Sequence, residues 1–144
     1  MRDSVTQFFS NLQREHLKPR GYKKVRHTFS RDMDGYTERI QFQGSSGNDS
    51  DGPWRFYINL GVEFTDLPPR TPCRDFPATH CWTRIEHIVP DAPKQYDLPD
   101  TSTAEFASEL AGYLDCASRQ SARQIRQIRS SYEQRPSPRL TTAA

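Results

Sequence analysis

Trp54-Arg55-Phe56-Tyr57-Ile58-Asn59-Leu60-Gly61-Val62-Glu63-Phe64 decides the fold. Trp54, Phe56, Ile58, Leu60, Val62 and Phe64 take every second position, and Arg55, Tyr57, Asn59, Gly61 and Glu63 take the others, which is the side-chain period of an extended strand. One face of such a strand lies against a core while the other meets water or a partner, the pattern of a central strand in an antiparallel sheet.

Working outward, Asp34-Gly35 is a hairpin signal between residues 23–31, where Val25, His27 and Phe29 alternate with Arg26, Thr28 and Ser30, and residues 36–43. A fourth strand is expected over residues 80–88, with Cys81, Thr83 and Ile85 on one face and Trp82, Arg84 and Glu86 on the other. The segment 44–52 holds only Gly, Ser, Asn and Asp and reads as a flexible acidic connector. Residues 67–77 carry four prolines and read as an ordered loop covering an edge.

Helices flank the strands. Ser4 with Gln7 reads as a capping box before Val5, Phe8, Phe9 and Leu12 at helical spacing, stopped by Lys18-Pro19-Arg20-Gly21. Ser102 with Glu105 repeats the signal before Phe106, Leu110, Tyr113, Leu114 and Ala117. Continued through Ile125 and Ile128 to residue 134, this helix would run about 45 Å at about 1.5 Å per residue, so its second half is expected to overhang the domain. The expectation is a single α+β domain over residues 1–134: an N-terminal helix, a four-stranded antiparallel meander and a long C-terminal helix, with the helices on one sheet face. Residues 135–144, with Pro136 and Pro138, read as a disordered tail.

Composition narrows the function. The 144 residues carry a net charge of only +2 with 33% hydrophobic residues, so the core is expected to rest on eight Phe, six Tyr and two Trp, and no global field marks a nucleic-acid or membrane partner. No window approaches the roughly 18 apolar residues of a membrane span, and Met1-Arg2-Asp3-Ser4 leads into a mixed polar and apolar stretch, so no secretory signal is expected. Cys73, Cys81 and Cys116 lack disulfide or zinc-site spacing, even with His80 and His87 nearby, so neither metal nor cofactor is expected and the cytoplasm fits.

Three surfaces are candidates. The sheet face away from the helices is expected to carry Arg39, Gln41 and Gln43, then Arg55, Tyr57 and Asn59, then Trp82 and Arg84, a mix of guanidinium groups and aromatic rings suited to recognition. Alternatively Arg39, Glu63, Arg84 and Glu86 satisfy one another across the strands. Arg119, Arg123, Arg126 and Arg129 form a basic ridge on the last helix, either complementing the helix dipole or flanking a self-association seam through Ala122, Ile125, Ile128 and Tyr132. Lys18, Arg20, Lys23, Lys24, Arg26 and Arg31 make a third basic stretch, but without the glycine-aromatic signature of sheet-based RNA binders. No phosphate loop, nucleophile elbow or metalloprotease helix occurs, so no catalytic residue is assigned; an acid and base pair among Glu63, Glu86 and His80 is the one enzymatic alternative.

The run Leu17-Lys18 to Gly21-Tyr22-Lys23-Lys24, with Thr28-Phe29-Ser30-Arg31, Ile40-Gln41-Phe42-Gln43, Phe56-Tyr57-Ile58-Asn59-Leu60-Gly61-Val62 and Thr83-Arg84-Ile85, resembles a bacterial family known only as a domain of unknown function. The likeness spans most of residues 5–115. It implies this helix, sheet, helix order, a bacterial source and an intracellular location, and carries no assigned site residues. Gln41 stands where that family often has Asn, and the Arg-rich end of the last helix is expected to be a local addition. The resulting expectation is a non-enzymatic module that binds another protein, of the immunity type that neutralises a toxin domain by contact. Nucleic-acid binding and an unrecognised enzyme are the alternatives.

Overall fold

The computed structural model describes residues 3–49, 52–70 and 79–134. The expected tail, Cys73 and most of the proline-bearing loop lie outside the described residues.

Helix α1, Asp3–Leu12, buries Val5, Phe8, Phe9 and Leu12 on one stripe. Ser4 sits inside the helix rather than capping it. A π-helical turn, Gln13–Leu17, and a short 3-10 turn, Lys18–Arg20, carry the chain to Gly21, whose φ of 94° is the left-handed geometry that lets the helix end there. Next, residues 23–31 form a hairpin instead of one strand: β1, Lys23–Val25, pairs with β2, Thr28–Asp32, across a turn at Arg26 and His27. Arg26 adopts φ 55°, a conformation that its sequence does not advertise. His27 therefore packs its ring against Phe9 and Trp54, and burial with Lys24 nearby lowers its pKa from the ordinary histidine value.

Strands β3, Tyr36–Gly44, and β4, Arg55–Phe64, form the longest pair, with Ile40 opposite Leu60 and Phe42 opposite Ile58. Between them the described part of the connector is held by Asn48. Asn48 donates from Nδ2 to the Arg55 carbonyl at 2.8 Å and accepts the Arg55 N–H on Oδ1 at 2.8 Å, reproducing a strand contact with a side chain. The free edge of β4 is shared by β5, Cys81–Arg84, and β6, Tyr96–Asp97, so the sheet has six strands in place of four, ordered β1-β2-β3-β4-β5 with β6 beside β4. From Ile85 the chain turns into a 3-10 helix, so the fourth expected strand is only its first half.

Helix α2, Thr103–Arg123, begins next to Ser102, whose left-handed backbone (φ 59°) makes no side-chain cap. It is interrupted at Gln124, whose N–H still bonds to the Gln120 carbonyl at 3.1 Å, and α3, Ile125–Glu133, follows. Ile125 and Ile128 pack on Tyr36, Val62 and Phe64, and Tyr132 meets His80 edge-on at 5.2 Å. The overhanging single helix is thus replaced by two, because a second apolar cluster at the end of β4 gives α3 something to bury.

The main core lies between α1, α2 and the sheet face bearing Phe29, Ile40, Phe42, Phe56, Ile58 and Leu60. Burial of such large side chains, each contributing about 1.5–3 kcal/mol, sets which face of β4 is inside. Among the described residues no helix is long and apolar enough to cross a membrane.

Candidate functional site

Because β4 turns Phe56, Ile58 and Leu60 toward the helices, Tyr57, Asn59 and Glu63 project from the opposite face. Register brings Gln41 level with Asn59 on one side and Arg84 level with it on the other. These three rungs are tied together. Asn59 Nδ2 donates to Gln41 Oε1 at 2.8 Å and Gln43 Oε1 at 3.0 Å, while Arg84 Nη1 donates to Asn59 Oδ1 at 2.8 Å and Gln43 Oε1 at 3.1 Å. The Arg84 guanidinium lies over the Tyr57 ring, 4.3 Å from its centroid.

Asn59 is only 3% exposed, on the face away from the helices that pack the core, with the side chains of Gln41, Gln43 and Arg84 bonded to it. It therefore holds Gln41, Gln43 and Arg84 in place. Arg84 is different. Its contacts are neutral acceptors and an aromatic face, and among the described residues no carboxylate pairs with it. Its Nη2 and Nε make no hydrogen bond there either, leaving the fork half unused.

The other expected residues divide. Arg39 is paired with Glu63 at 2.5 Å, and both are largely covered. This half of the cross-strand alternative is what the structure contains, whereas Arg84 and Glu86 do not pair among the described residues. Arg55 lies at the far end of β4 in an exposed pair with Asp97 at 3.3 Å, away from the Asn59 cluster. Trp82 sits opposite Gly61, half-buried. Gly61 is where Thr79 comes down on the sheet: a Cβ there would stand 2.5 Å from Thr79 Cγ2. Beside the cluster, Lys24, Arg26, Thr28, Gln41, Gln43 and Tyr57 border a hollow of about 930 Å³.

On the helix ridge, Arg119 pairs with Asp115 one turn earlier at 3.1 Å, and Arg123 and Arg126 are exposed. Arg129 leaves the ridge to clasp Asp66 with two bonds, of 2.6 and 2.9 Å, and lies over Phe64. That bidentate contact lowers the Asp66 pKa. Ile125, Ile128 and Tyr132 are used within the chain.

His80, Glu63 and Glu86 are not assembled as an acid and base set. His80 is 1% exposed, accepts the Phe64 N–H on Nδ1 at 2.9 Å and faces the Pro68 carbonyl with Nε2 at 2.8 Å, which fixes the Nε2–H tautomer and gives it a structural role. Glu63 points to the opposite face, toward Arg39. Among the described residues no cluster of His, Cys, Asp and Glu could hold a metal ion.

One group escaped the sequence reading. Glu38 is 5% exposed on the helix side of the sheet, bonded to the Tyr22 hydroxyl and 3.4 Å from Arg31 Nη2. Arg31 also lies over the Tyr22 ring and donates to Ser118 Oγ at 2.6 Å. Burial, with the Glu38 charge beside it, pushes the Tyr22 hydroxyl well above the usual tyrosine range. The signal was available: in residues 36–43, putting Arg39 and Gln41 outward sends Glu38 inward beside Ile40.

Residues 13–115 match the family described as a domain of unknown function, DUF4304, and the chain belongs to that family. The match stops before the end of α2, so all of α3 lies beyond it. No curated protein and no solved structure matches the chain.

Proposed function

We propose that this DUF4304 protein is a non-enzymatic binding module that engages an acidic surface of another protein through Arg84, Tyr57 and Trp82. The observation that carries the reading is Arg84: a guanidinium held in place by Asn59, Gln43 and the Tyr57 ring, with its remaining donors unspent and no carboxylate of its own among the described residues. Fixing a side chain before binding removes the entropy that a partner would otherwise have to offset, about 0.5–1.5 kcal/mol for a rotamer-rich group. A planar fork in a defined orientation favours bidentate capture of a carboxylate. Lys24 and Arg26 at the adjoining hollow add positive charge without adding a competing anion.

Binding of this type suits an immunity protein in the bacterial cytoplasm, which neutralises a toxin domain by covering its active surface. The test is affinity for the partner captured on the immobilised chain, measured for Arg84→Ala and Trp82→Ala in folded protein. Each substitution is expected to weaken binding by about 2 kcal/mol or more, the range of aromatic and arginine anchors. Unchanged affinity in both would remove the face from consideration. If the captured partner is a nucleic acid, affinity will instead fall linearly with the logarithm of salt and follow Lys23, Lys24 and Arg26.

A further inference from the structure

On the other side of the sheet, α2 and α3 stand off from β3, β4 and β5 and leave a cleft of about 380 Å³. Its walls are mostly apolar, from Ile40, Leu60, Val62, Leu114 and Ile128, and Glu38, Ser118 and Ser121 also line it. Cavities that bind small molecules have this size and this balance of apolar wall and few polar groups.

The polar groups at and behind that wall are incompletely satisfied. Both contacts to the Glu38 carboxylate, from Tyr22 and Arg31, fall on Oε1, and among the described residues Oε2 accepts no hydrogen bond. Behind it, Arg31 Nε is buried without a partner among the described residues. The Tyr36 hydroxyl, two residues before Glu38 on the same face and on a residue only 4% exposed, is likewise unbonded among the described residues. Burial and the Glu38 charge raise the pKa of Tyr36 while Arg31 opposes them, which places its hydroxyl within the field of this pair. Leaving a buried polar atom unbonded costs about 1–3 kcal/mol, so two beside one carboxylate, Arg31 Nε and the Tyr36 hydroxyl, call for an explanation.

We infer that the cleft is a binding site for a small, uncharged amphipathic molecule whose apolar body lies between Leu60, Leu114 and Ile128 and whose hydroxyl or amide end donates to Glu38. An uncharged occupant follows from the charges present: Glu38 and Arg31 already compensate each other, and an ionic ligand would bury a charge with nothing to balance it. Ser118, Ser121, Gln124 and Ile128 come from beyond residue 115, so the part of the chain past the family match completes the cleft. This site lies across the sheet from Arg84 and does not depend on the protein-binding reading.

Amide-resolved NMR titration of the full chain tests it with three probes of one shape: 2-phenylethanol, phenylacetate and 2-phenylethylammonium. The neutral alcohol is expected to shift the resonances of Leu60, Leu114, Ser118, Ser121 and Ile128 saturably, at least tenfold more tightly than either ion. Ser121→Leu, which fills the cleft, and Gln124→Trp, which obstructs it from an exposed position, are each expected to weaken the alcohol at least tenfold. The wild-type pattern decides the matter if Ser121→Leu does not fold. Equal binding of the three probes, shifts scattered over the surface, no saturable shift with any probe, or full affinity in Gln124→Trp would overturn the proposal.

Discussion

At the scale of single residues, the open face is shaped by Gly61 and Asn59, which act in opposite ways. Asn59 fills its place by bonding to everything around it, while Gly61 works by leaving room for Thr79. Gly61→Ala forces a methyl group to within 2.5 Å of Thr79 Cγ2, and Thr79 is itself 1% exposed and has little freedom to retreat. Overpacking of this kind costs about 1–3 kcal/mol, so the variant is expected to unfold at correspondingly lower denaturant with an unchanged slope. A variant as stable as the parent would show that Thr79 does not press on the sheet. The alternation of β4 was readable before any coordinates, and with it the facing of Tyr57, Asn59 and Glu63. The burial of Asn59 was not, because it depends on Gln41, Gln43 and Arg84 arriving from two other strands, and their reach is a property of register rather than of spacing.

Among the elements, α3 is the one whose position rests on a few contacts. It joins α2 through Gln124, packs Ile125 and Ile128 on the cluster around Phe64, and is tied down where Arg129 grips Asp66. An exposed ion pair of this kind is too weak to matter for global stability but enough to change how often a short helix lifts away. Asp66→Asn is therefore expected to speed amide exchange severalfold across residues 125–133 and leave α2 unaffected. Equal protection in both proteins would mean that the apolar contacts alone hold α3. The helical spacing from Phe106 through Ile128 gave no sign of this break, since neither glycine nor proline stands at position 124 and the turn is imposed by a distant apolar patch. The β1 to β2 turn was hidden for a related reason: Arg26 takes a left-handed conformation usually given to glycine or asparagine. Capping signals fared unevenly too, since α2 starts beside Ser102 as expected, yet the Ser102 side chain makes no capping bond.

In the whole molecule, the sheet separates two environments: an aromatic core with an adjoining polar-ended cleft toward the helices, and a hydrogen-bonded surface around Arg84 on the other side. The central claim is that this second surface meets a protein partner. Hydroxyl-radical footprinting of the free chain and of its complex with the captured partner measures this most directly, because rings are oxidised according to their exposure. The account predicts that Tyr57 and Trp82 react in the free protein and become protected in the complex, while Tyr22, Tyr36 and Tyr96, each 4% exposed, stay unreactive in both. Protection confined to other parts of the surface, with Tyr57 and Trp82 equally oxidised in the free and bound states, would contradict it.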